Sequence, residues 1–330
     1  MKTRGVAVVL AIAAIAVAPM AGADERSGAG APADAGARVV LARFTTTYAN
    51  DAEHKSRASN VELGAEAING KTIGAGATFS FNDAVGERTA AFGYEKSIVL
   101  RDGMIAEGMG GGACQVASTL HAAALLGGLE VVARAPHSRP SAYIRMGLDA
   151  TVALGGTAPA IDLKVKNTSV AAVVIHAKAA RGTLEVWIDG AAGTARPDVT
   201  LSSEIVERTT FSRVVERDKR AKDDTVRVKA FGIPGYRVKR TREIRAADGT
   251  VKRDVRFDTY PPTNEIVQVA PSLDESRIRL RGASAEPDGE TAPDDPSSKA
   301  PVVVIDASAT RPLIVQLRPS TRVELDNTSK

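Results

Sequence analysis

The single cysteine of this chain, Cys114, stands between a run of glycines and a helical pattern in the segment GMGGGACQVASTLHAAALLGG. Apolar residues recur at helical spacing after it and predict a helix over residues 115–126, which Gly127 and Gly128 end. A thiol at a helix N-terminus lies near unpaired backbone N–H groups and the positive end of the helix dipole, which can lower its pKa from about 8.5 to about 3.5–7.5. This position predicts that Cys114 is a nucleophile.

The residues that flank the thiol are candidates for holding an oxyanion. Glycine lets the backbone approach a ligand closely and aim N–H groups at one point. We therefore expect Gly111, Gly112 and Ala113 to supply backbone N–H groups, with Gln115 close by. The alternative is that Cys114 is a small buried hydrophobic residue and that the glycines only form a turn.

A nucleophilic cysteine needs a base, and the chain has four histidines. His121 follows Cys114 on the same predicted helix but lies about 10 Å farther along its axis, so it either lines the pocket as a substrate-binding residue or fills the core. His54 falls in a polar segment, and His176 ends an apolar strand. His137 lies in the proline-stiffened loop APHSRP, after the strand that follows the cysteine helix, and it is the predicted base.

Two residues are candidates for orienting the His137 imidazole. Asp149 in GLDATV would fix the tautomer and stabilise the imidazolium, although an aspartate there also suits a turn, and Ser138 is the second candidate. Arg88 and Arg139 are candidates for binding a substrate carboxylate, because a guanidinium can bind a carboxylate through two parallel hydrogen bonds.

Composition and spacing argue against several other functions. One cysteine and scattered histidines give none of the close ligand spacings of a zinc site, and GMGGGA lacks the lysine of a phosphate-binding loop. We expect neither a metal nor a cofactor. The formal net charge of +4 is too small to imply a nucleic-acid partner, although a mildly basic protein could still meet an anionic wall polymer.

The start of the chain predicts export. Lys2 and Arg4 precede the apolar segment GVAVVLAIAAIAVA, and the small residues 21–23 suit a signal peptidase, so we assign residues 1–23 to a signal peptide. A lipoprotein is excluded, because no cysteine lies near the cleavage site. No later stretch is long and apolar enough to span a bilayer. The expected mature protein is periplasmic or extracellular, without a stable membrane anchor.

The remaining chain predicts an α+β domain followed by a small all-β module. Residues 24–38 are small, polar and broken by Pro and Gly, as in a flexible linker. Residues 39–195 combine short strands with the cysteine helix and an earlier helix, SNVELGAEAING, capped by Ser59. Residues 200–271 alternate strands with turns. Residues 282–330 form a low-complexity, partly disordered tail in which VVVIDA and LIVQL could add strands.

Several of these segments resemble, in order, the motifs of the VanW domain family, first named from vancomycin-resistance gene clusters. They are FTTTY, the segment from SNVELG to AAFGY, the segment from GGGACQ to RAPHS, and GLDATV followed by IDLKVKN. The resemblance extends from about Phe44 to Trp187. The cysteine, the glutamine and the His-Ser pair of the family pattern match Cys114, Gln115, His137 and Ser138.

Two positions depart from that pattern, because Ala113 replaces a larger aliphatic residue and His121 replaces an aromatic one. The resemblance implies a cysteine helix packed on short strands and L,D-transpeptidation of peptidoglycan stem peptides. Residues 200–271 resemble the G-five type of β module found beside VanW domains, which implies glycan as a further ligand. Tyr236 and Tyr260 suit that role as exposed aromatic side chains.

The sequence therefore predicts an exported, wall-associated enzyme that transfers an acyl group through a thioester on Cys114. Three alternatives remain open from the residues. The same site could trim stems as a carboxypeptidase, a related cysteine peptidase could cleave stems internally, or the chain could be a non-catalytic peptidoglycan-binding or scaffold protein with a buried thiol.

Overall fold

Strands form most of the protein, whose computed structural model describes residues 37–101, 104–156, 158–221, 226–246, 248–273 and 305–306. The predicted signal peptide, the linker up to residue 36 and most of the tail lie outside these residues. The described part of the chain has many strands and few helices, in agreement with the predicted α+β class. None of its helices is long and apolar enough to cross a membrane.

The secondary structure follows the predicted segments closely. In chain order the elements are β1 (Arg38–Thr47), α1 (Lys55–Ile68), β2 (Lys71–Ile73), β3 (Thr78–Ser80), α2 (Phe81–Val85), a 3-10 helix (Ala90–Phe92), β4 (Lys96–Arg101), β5 (Met104–Met109), α3 (Ala113–Leu126), β6 (Glu130–Ala133), β7 (Lys164–Lys166), β8 (Val173–Ala180), β9 (Thr183–Ala191), β10 (Asp198–Thr209), β11 (Arg213–Arg217), β12 (Val226–Ala230), β13 (Gly235–Arg245), β14 (Val251–Tyr260), β15 (Glu265–Val269) and β16 (Ile305–Asp306).

The main core lies between two helices and an antiparallel sheet of strand order β1-β9-β8-β2. Alternation places Leu184, Val186 and Ile188 of β9 on the buried face. Helices α1 and α3 pack against this sheet and against each other. Helix α3 is buried almost all around, because its sequence is apolar or small on every face.

Two smaller sheets carry the chain into and out of α3. Strands β4 and β5 form a hairpin that leads directly to the glycine run before the helix. Strands β3, β7 and β6 form the second sheet, in that order. The long connection from β6 to β7 returns beside itself through a bridge between Ala135 and Thr151. That bridge brings His137 and Asp149 towards each other.

The β-rich segment from Asp198 onward forms one sheet of order β14-β13-β10-β16 and another of order β11-β15-β12. Val199 and Leu201 of β10 belong to the main core. The Arg242 guanidinium donates to the Leu129 carbonyl over 2.7 Å, and the Ser203 hydroxyl donates to the Met146 carbonyl over 2.7 Å. This segment therefore packs directly on the part of the chain that carries the cysteine.

Two local predictions were wrong. Helix α1 begins at Lys55 with His54 as its N-cap, not after Ser59, because Asp51 accepts hydrogen bonds from the His54 backbone and side chain and starts the turn earlier. No helix was predicted between α1 and the cysteine helix, yet α2 forms there, and Ser80 caps it by accepting from the Asp83 N–H over 3.1 Å. In the tail, the segment VVVIDA contributes β16, and LIVQL lies outside the described residues.

Candidate active site

The glycine run places Cys114 in the first turn of α3. Gly112 is the N-cap, with φ of 119°, and a Cβ there would lie 2.8 Å from Val61 Cγ2. A Cβ on Gly111 would lie 2.4 Å from the Ile98 carbonyl oxygen. Glycine is needed at both positions, because side chains would collide with α1 and β4. The close packing that fixes the helix start therefore also fixes the thiol.

The Cys114 thiol is partly buried, and the Val152 backbone N–H donates to Sγ over 3.4 Å. Burial raises the pKa of Cys114, but the hydrogen bond and positive charge of His137 outweigh this effect and lower the pKa below its usual value. The positive end of α3 acts in the same direction. The site thus favours a thiolate.

His137, the predicted base, lies beside this thiol, and Asp149 contacts its imidazole. Asp149 Oδ2 lies 2.7 Å from His137 Nδ1 and accepts the His137 backbone N–H over 2.7 Å. Because Nδ1 is engaged, Nε2 is the nitrogen left for Cys114, with which His137 also hydrogen bonds. Burial lowers the pKa of His137, but the hydrogen bonds to Asp149 and Cys114 raise it to about 9. The two shifts, downward for Cys114 and upward for His137, both favour a thiolate–imidazolium pair.

Asp149 is held by partners from two distant parts of the chain. Its Oδ1 accepts from Arg134 Nη2 over 2.9 Å and from the Tyr260 hydroxyl over 2.6 Å. The Gly147 N–H donates to the same Tyr260 hydroxyl over 2.7 Å. Arg134 also binds Asp258, so one guanidinium joins two buried carboxylates. Burial raises the pKa of Asp149, but His137 and Arg134 hold it well below its usual range.

Tyr143 closes the other side of the imidazole. Its hydroxyl lies 3.4 Å from His137 Nε2, and the two rings meet edge to face at 6.3 Å. Burial and the negative charge of Cys114 raise the pKa of Tyr143, so its hydroxyl stays protonated. Arg57 lies over the same ring at 5.9 Å and donates to Gln115 Oε1 over 2.8 Å.

Among the groups predicted to bind an oxyanion or substrate, the backbone N–H groups at the start of α3 are best placed to bind an oxyanion. Within the described residues, the N–H groups of Gly112 and Cys114 have no backbone carbonyl acceptor, whereas Ala113 N–H donates to Gly110. The Gln115 prediction needs correction, because its side chain is buried and its amide donates to Thr46 Oγ1 and the Thr47 carbonyl. Its backbone N–H donates to the Gly112 carbonyl.

Three other predicted roles change. His121 is only 1% exposed and hydrogen bonds the Leu148 carbonyl through Nδ1 at 2.7 Å, so it is a core residue and not part of the substrate surface. Ser138 is exposed, and Asp149 takes the orienting position instead. Tyr260 is 1% exposed and bound to Asp149, so it is not a sugar-facing aromatic residue. Its hydroxyl is the polar end of a buried ring, which explains why it needs the Asp149 carboxylate and the Gly147 N–H as partners.

The two arginines predicted to bind a carboxylate differ in placement. Arg88 is 9% exposed, and its positive charge acts on Cys114. Arg139 is half-buried in the His137 loop, and burial lowers its pKa. Sequence reasoning missed Arg57, Arg134 and Tyr143. Arg134 and Tyr143 flank the His137 loop in the printed sequence, which is the one local signal that could have identified them.

The site offers no cluster for a metal. The searched residues, which exclude 102–103 and the other undescribed segments, contain no group of three or more His, Cys, Asp or Glu side chains placed to hold an ion. The groups that the structure brings together at this site are a thiol, an imidazole and backbone N–H groups at a helix start.

Thiol labelling tests the ion pair directly. We expect iodoacetamide to alkylate Cys114 of the folded protein with a pH midpoint below that of an ordinary thiol, and His137→Gln to raise the midpoint, because the hydrogen bond and charge that chiefly offset the effect of burial are then lost. The measurement is adduct mass against pH. In denaturant the two proteins should label alike. Equal midpoints in the folded proteins would show that His137 does not activate the thiol.

The cysteine-bearing part of the chain is similar to known proteins. Residues 56–188 match the family model described as "VanW like protein". The chain is 40% identical over 142 residues to "Uncharacterized protein YoaR" of Bacillus subtilis, which covers 43% of this chain and 45% of that protein. It is 30% identical over 118 residues to "Vancomycin B-type resistance protein VanW" of Enterococcus faecalis, covering 34% and 42% respectively.

These matches confirm the resemblance read from the motifs, and the chain spans less than half the length of each of these curated relatives. Among solved structures, the "IgA1 Protease G5 domain structure" is similar at 22% sequence identity and a TM-score of 0.17, over 24% of this chain and 96% of that chain.

Proposed function

We propose that this chain, whose residues 56–188 match the VanW family model, is a cysteine acyltransferase of the cell wall, an L,D-transpeptidase acting on peptidoglycan stem tetrapeptides. The observation that carries the proposal is the Cys114, His137 and Asp149 arrangement at the start of α3. Its order of nucleophile, base and carboxylate is the one that acyl transfer requires.

In the first half-reaction, Cys114 Sγ attacks the carbonyl carbon that joins the third stem residue to the terminal D-alanine. The C–N bond breaks, and the proton on His137 Nε2 passes to the leaving amine, so free D-alanine departs. A thioester remains on Cys114, and His137 is neutral. Asp149 keeps Nδ1 protonated throughout, because it accepts that proton's hydrogen bond at 2.7 Å.

The tetrahedral oxyanion would bind to the N–H groups of Gly112 and Cys114. These groups have no backbone acceptor in the described part of the chain, and they lie at the positive end of α3. The glycine at 112 allows this backbone turn because its φ is positive. Stabilisation of the oxyanion is thus assigned to backbone and not to the Gln115 side chain.

In the second half-reaction, the side-chain amine of another stem attacks the thioester. Neutral His137 takes a proton from that amine, the new amide forms, and the Cys114 thiolate leaves, which restores the starting ion pair. If water attacks instead, the product is a shortened stem and the activity is that of a carboxypeptidase. The residues are the same in both cases.

The proposed location is outside the cytoplasmic membrane, where stems are exposed. Support comes from the predicted signal peptide at residues 1–23 and from the relative named as a vancomycin resistance protein. Stem peptides are the proposed partners, with glycan as a further ligand of the β-rich segment. No nucleic acid is proposed, in keeping with the small net charge of +4.

Product analysis tests this function. The full mature chain is incubated with disaccharide tetrapeptide as donor, with and without an amine-bearing acceptor stem, and Cys114→Ala serves as control. We expect D-alanine release with a crosslinked dimer when acceptor is present, and neither product with Cys114→Ala. Longer stem fragments would indicate internal cleavage instead. No product from the folded wild-type protein would favour the scaffold alternative.

A further inference from the structure

Two arginines, Arg57 and Arg88, contact different segments that adjoin the thiol. Arg57 of α1 is tied to the residue after Cys114, because it donates to Gln115 Oε1 over 2.8 Å. It also lies 5.9 Å from the centre of the Tyr143 ring, whose hydroxyl is 3.4 Å from His137 Nε2. Arg57 therefore lies between the start of α3 and the catalytic imidazole.

Arg88 approaches from the side of the β6–β7 connection. Both terminal nitrogens donate to Asn82 Oδ1 over 3.2 Å, and the Asn82 amide donates to the Ala153 carbonyl over 3.1 Å. Ala153 follows Val152, the residue whose backbone contacts Cys114 Sγ. Arg88 also packs its Cβ against Gly110, where an added side-chain carbon would lie 2.8 Å away.

Neither guanidinium has an acidic partner within ion-pair distance among the described residues. Their recorded acceptors, Gln115 and Asn82, are neutral amides. Each guanidinium has five N–H donors, so most of its donors remain available. Arg88 is buried and Arg57 is partly buried, and Asp162 acts on Arg88 only from beyond ion-pair distance. A cation removed from water without a direct ion-pair partner is costly, which favours an anionic ligand at this site. The Cys114 thiolate meets part of that demand, but it is already paired with His137.

A substrate carboxylate close to the scissile bond would meet the rest. In a peptide that loses one C-terminal amino acid, the free α-carboxylate belongs to the leaving residue and lies beside the carbonyl under attack. A peptide cleaved internally has a neutral amide at that position. Two guanidiniums beside the nucleophile therefore distinguish the two kinds of substrate, because a carboxylate accepts paired charge-assisted hydrogen bonds and an amide does not.

We propose that Arg57 and Arg88 bind the free α-carboxylate of the leaving residue and restrict this site to peptides in which a single C-terminal amino acid follows the scissile bond. This inference rests on the proposed acyl transfer and names its substrate class. It makes Arg57, which the sequence did not reveal, a specificity-determining residue. It also separates transpeptidation and carboxypeptidation, which share this substrate, from internal cleavage.

The test compares two donors that differ at one group, the disaccharide tetrapeptide and its C-terminal carboxamide. With wild-type protein we expect acylation of Cys114 by the carboxamide to be slower by about ten- to hundredfold, since charged hydrogen bonds are lost. Arg57→Gln and Arg88→Gln should slow reaction with the carboxylate more than reaction with the carboxamide, so the ratio of the two rates falls towards unity. Arg253→Gln, which removes an exposed arginine of β14, should keep the wild-type preference.

The comparison of the two donors needs no mutation, so it remains valid even if an arginine variant misfolds. Arg57→Lys and Arg88→Lys keep a positive charge and should retain part of the preference for the carboxylate donor. Equal rates for both donors with wild-type protein would overturn the inference and leave the acyltransferase proposal intact. If neither donor acylates Cys114, the proposed function fails, and the arginine site is then judged by calorimetry with Cys114→Ala. Equal affinity for the two peptides there would overturn it as well.

Discussion

Asp149→Asn is expected to reduce turnover by about 10²–10⁴-fold while the thiol remains in place. Asparagine cannot stabilise the imidazolium by charge, and its amide group can face Nδ1 as a donor. His137 would then carry its proton on Nε2, the nitrogen that must accept protons in the second half-reaction. The measurement is kcat and KM for D-alanine release, together with the pH midpoint of Cys114 labelling, which should rise.

Two companion variants separate a positioning effect from general damage. Tyr260→Phe removes one donor to Asp149 Oδ1, at 2.6 Å, and should cause a smaller loss in the same direction. Asp189 of β9 lies 3.0 Å from His176 Nε2 of β8 and forms a second aspartate–histidine pair. Asp189→Asn breaks this pair and should leave turnover unchanged. Circular dichroism confirms that each variant is folded. A folded Asp149→Asn protein with near wild-type turnover would rule out the assigned role.

Arg134→Gln is expected to lower the free energy of unfolding by about 3–5 kcal/mol, because it leaves the buried carboxylates of Asp149 and Asp258 without their shared cation. Urea unfolding of the full chain measures this change. The matched control is Arg43→Gln, which removes an ion pair with Glu185 in which the Arg43 side chain is 50% exposed. That change should cost about 0–1 kcal/mol.

The effect of Arg134→Gln should also depend on pH. The folded-state pKa of Asp149 is lowered, so its contribution to stability is complete above the unfolded value and is lost as pH falls through the folded one. Removing Arg134 weakens this contribution. The stability difference between wild type and variant should therefore be largest near neutral pH and narrow in acid. A difference that matches the Arg43→Gln control at every pH would show that the buried network does not stabilise the fold.

The β-rich segment takes a larger part in the site than its composition suggested. Asp258 and Tyr260 lie on β14, yet they contact Arg134 and Asp149 of the cysteine-bearing part. The Asp149 carboxylate is therefore held from both parts of the chain. The domain boundary predicted near residues 195–200 marks a change in the sequence pattern. Side-chain contacts cross that boundary.

Local pattern was sufficient for the parts of the site that depend on local structure. Helical spacing and the glycine run located Cys114 at the start of α3, and β-branched alternation located the strands that surround it. The loop position of His137 followed from the same pattern. Each of these predictions depends on interactions within one turn or one strand, where residue type decides conformation.

The partners of these residues depend on contacts that no local pattern encodes. Tyr260 is separated from Asp149 by 111 positions, and Arg134 from Asp258 by 124. A strand tyrosine can face solvent or core equally well from its spacing, and only the packing of β14 decides which. Arg57 was missed for a local reason, because the predicted helix began after it, whereas α1 begins at Lys55.

The most direct test of the account is the intact mass of the mature protein after brief mixing with disaccharide tetrapeptide. The account predicts a mass gain equal to the donor minus D-alanine, located on Cys114, sensitive to hydroxylamine as a thioester is, and absent from Cys114→Ala. A folded wild-type protein that shows neither an adduct nor released D-alanine when donor and acceptor stems are both present, or an adduct that persists in Cys114→Ala, would contradict it.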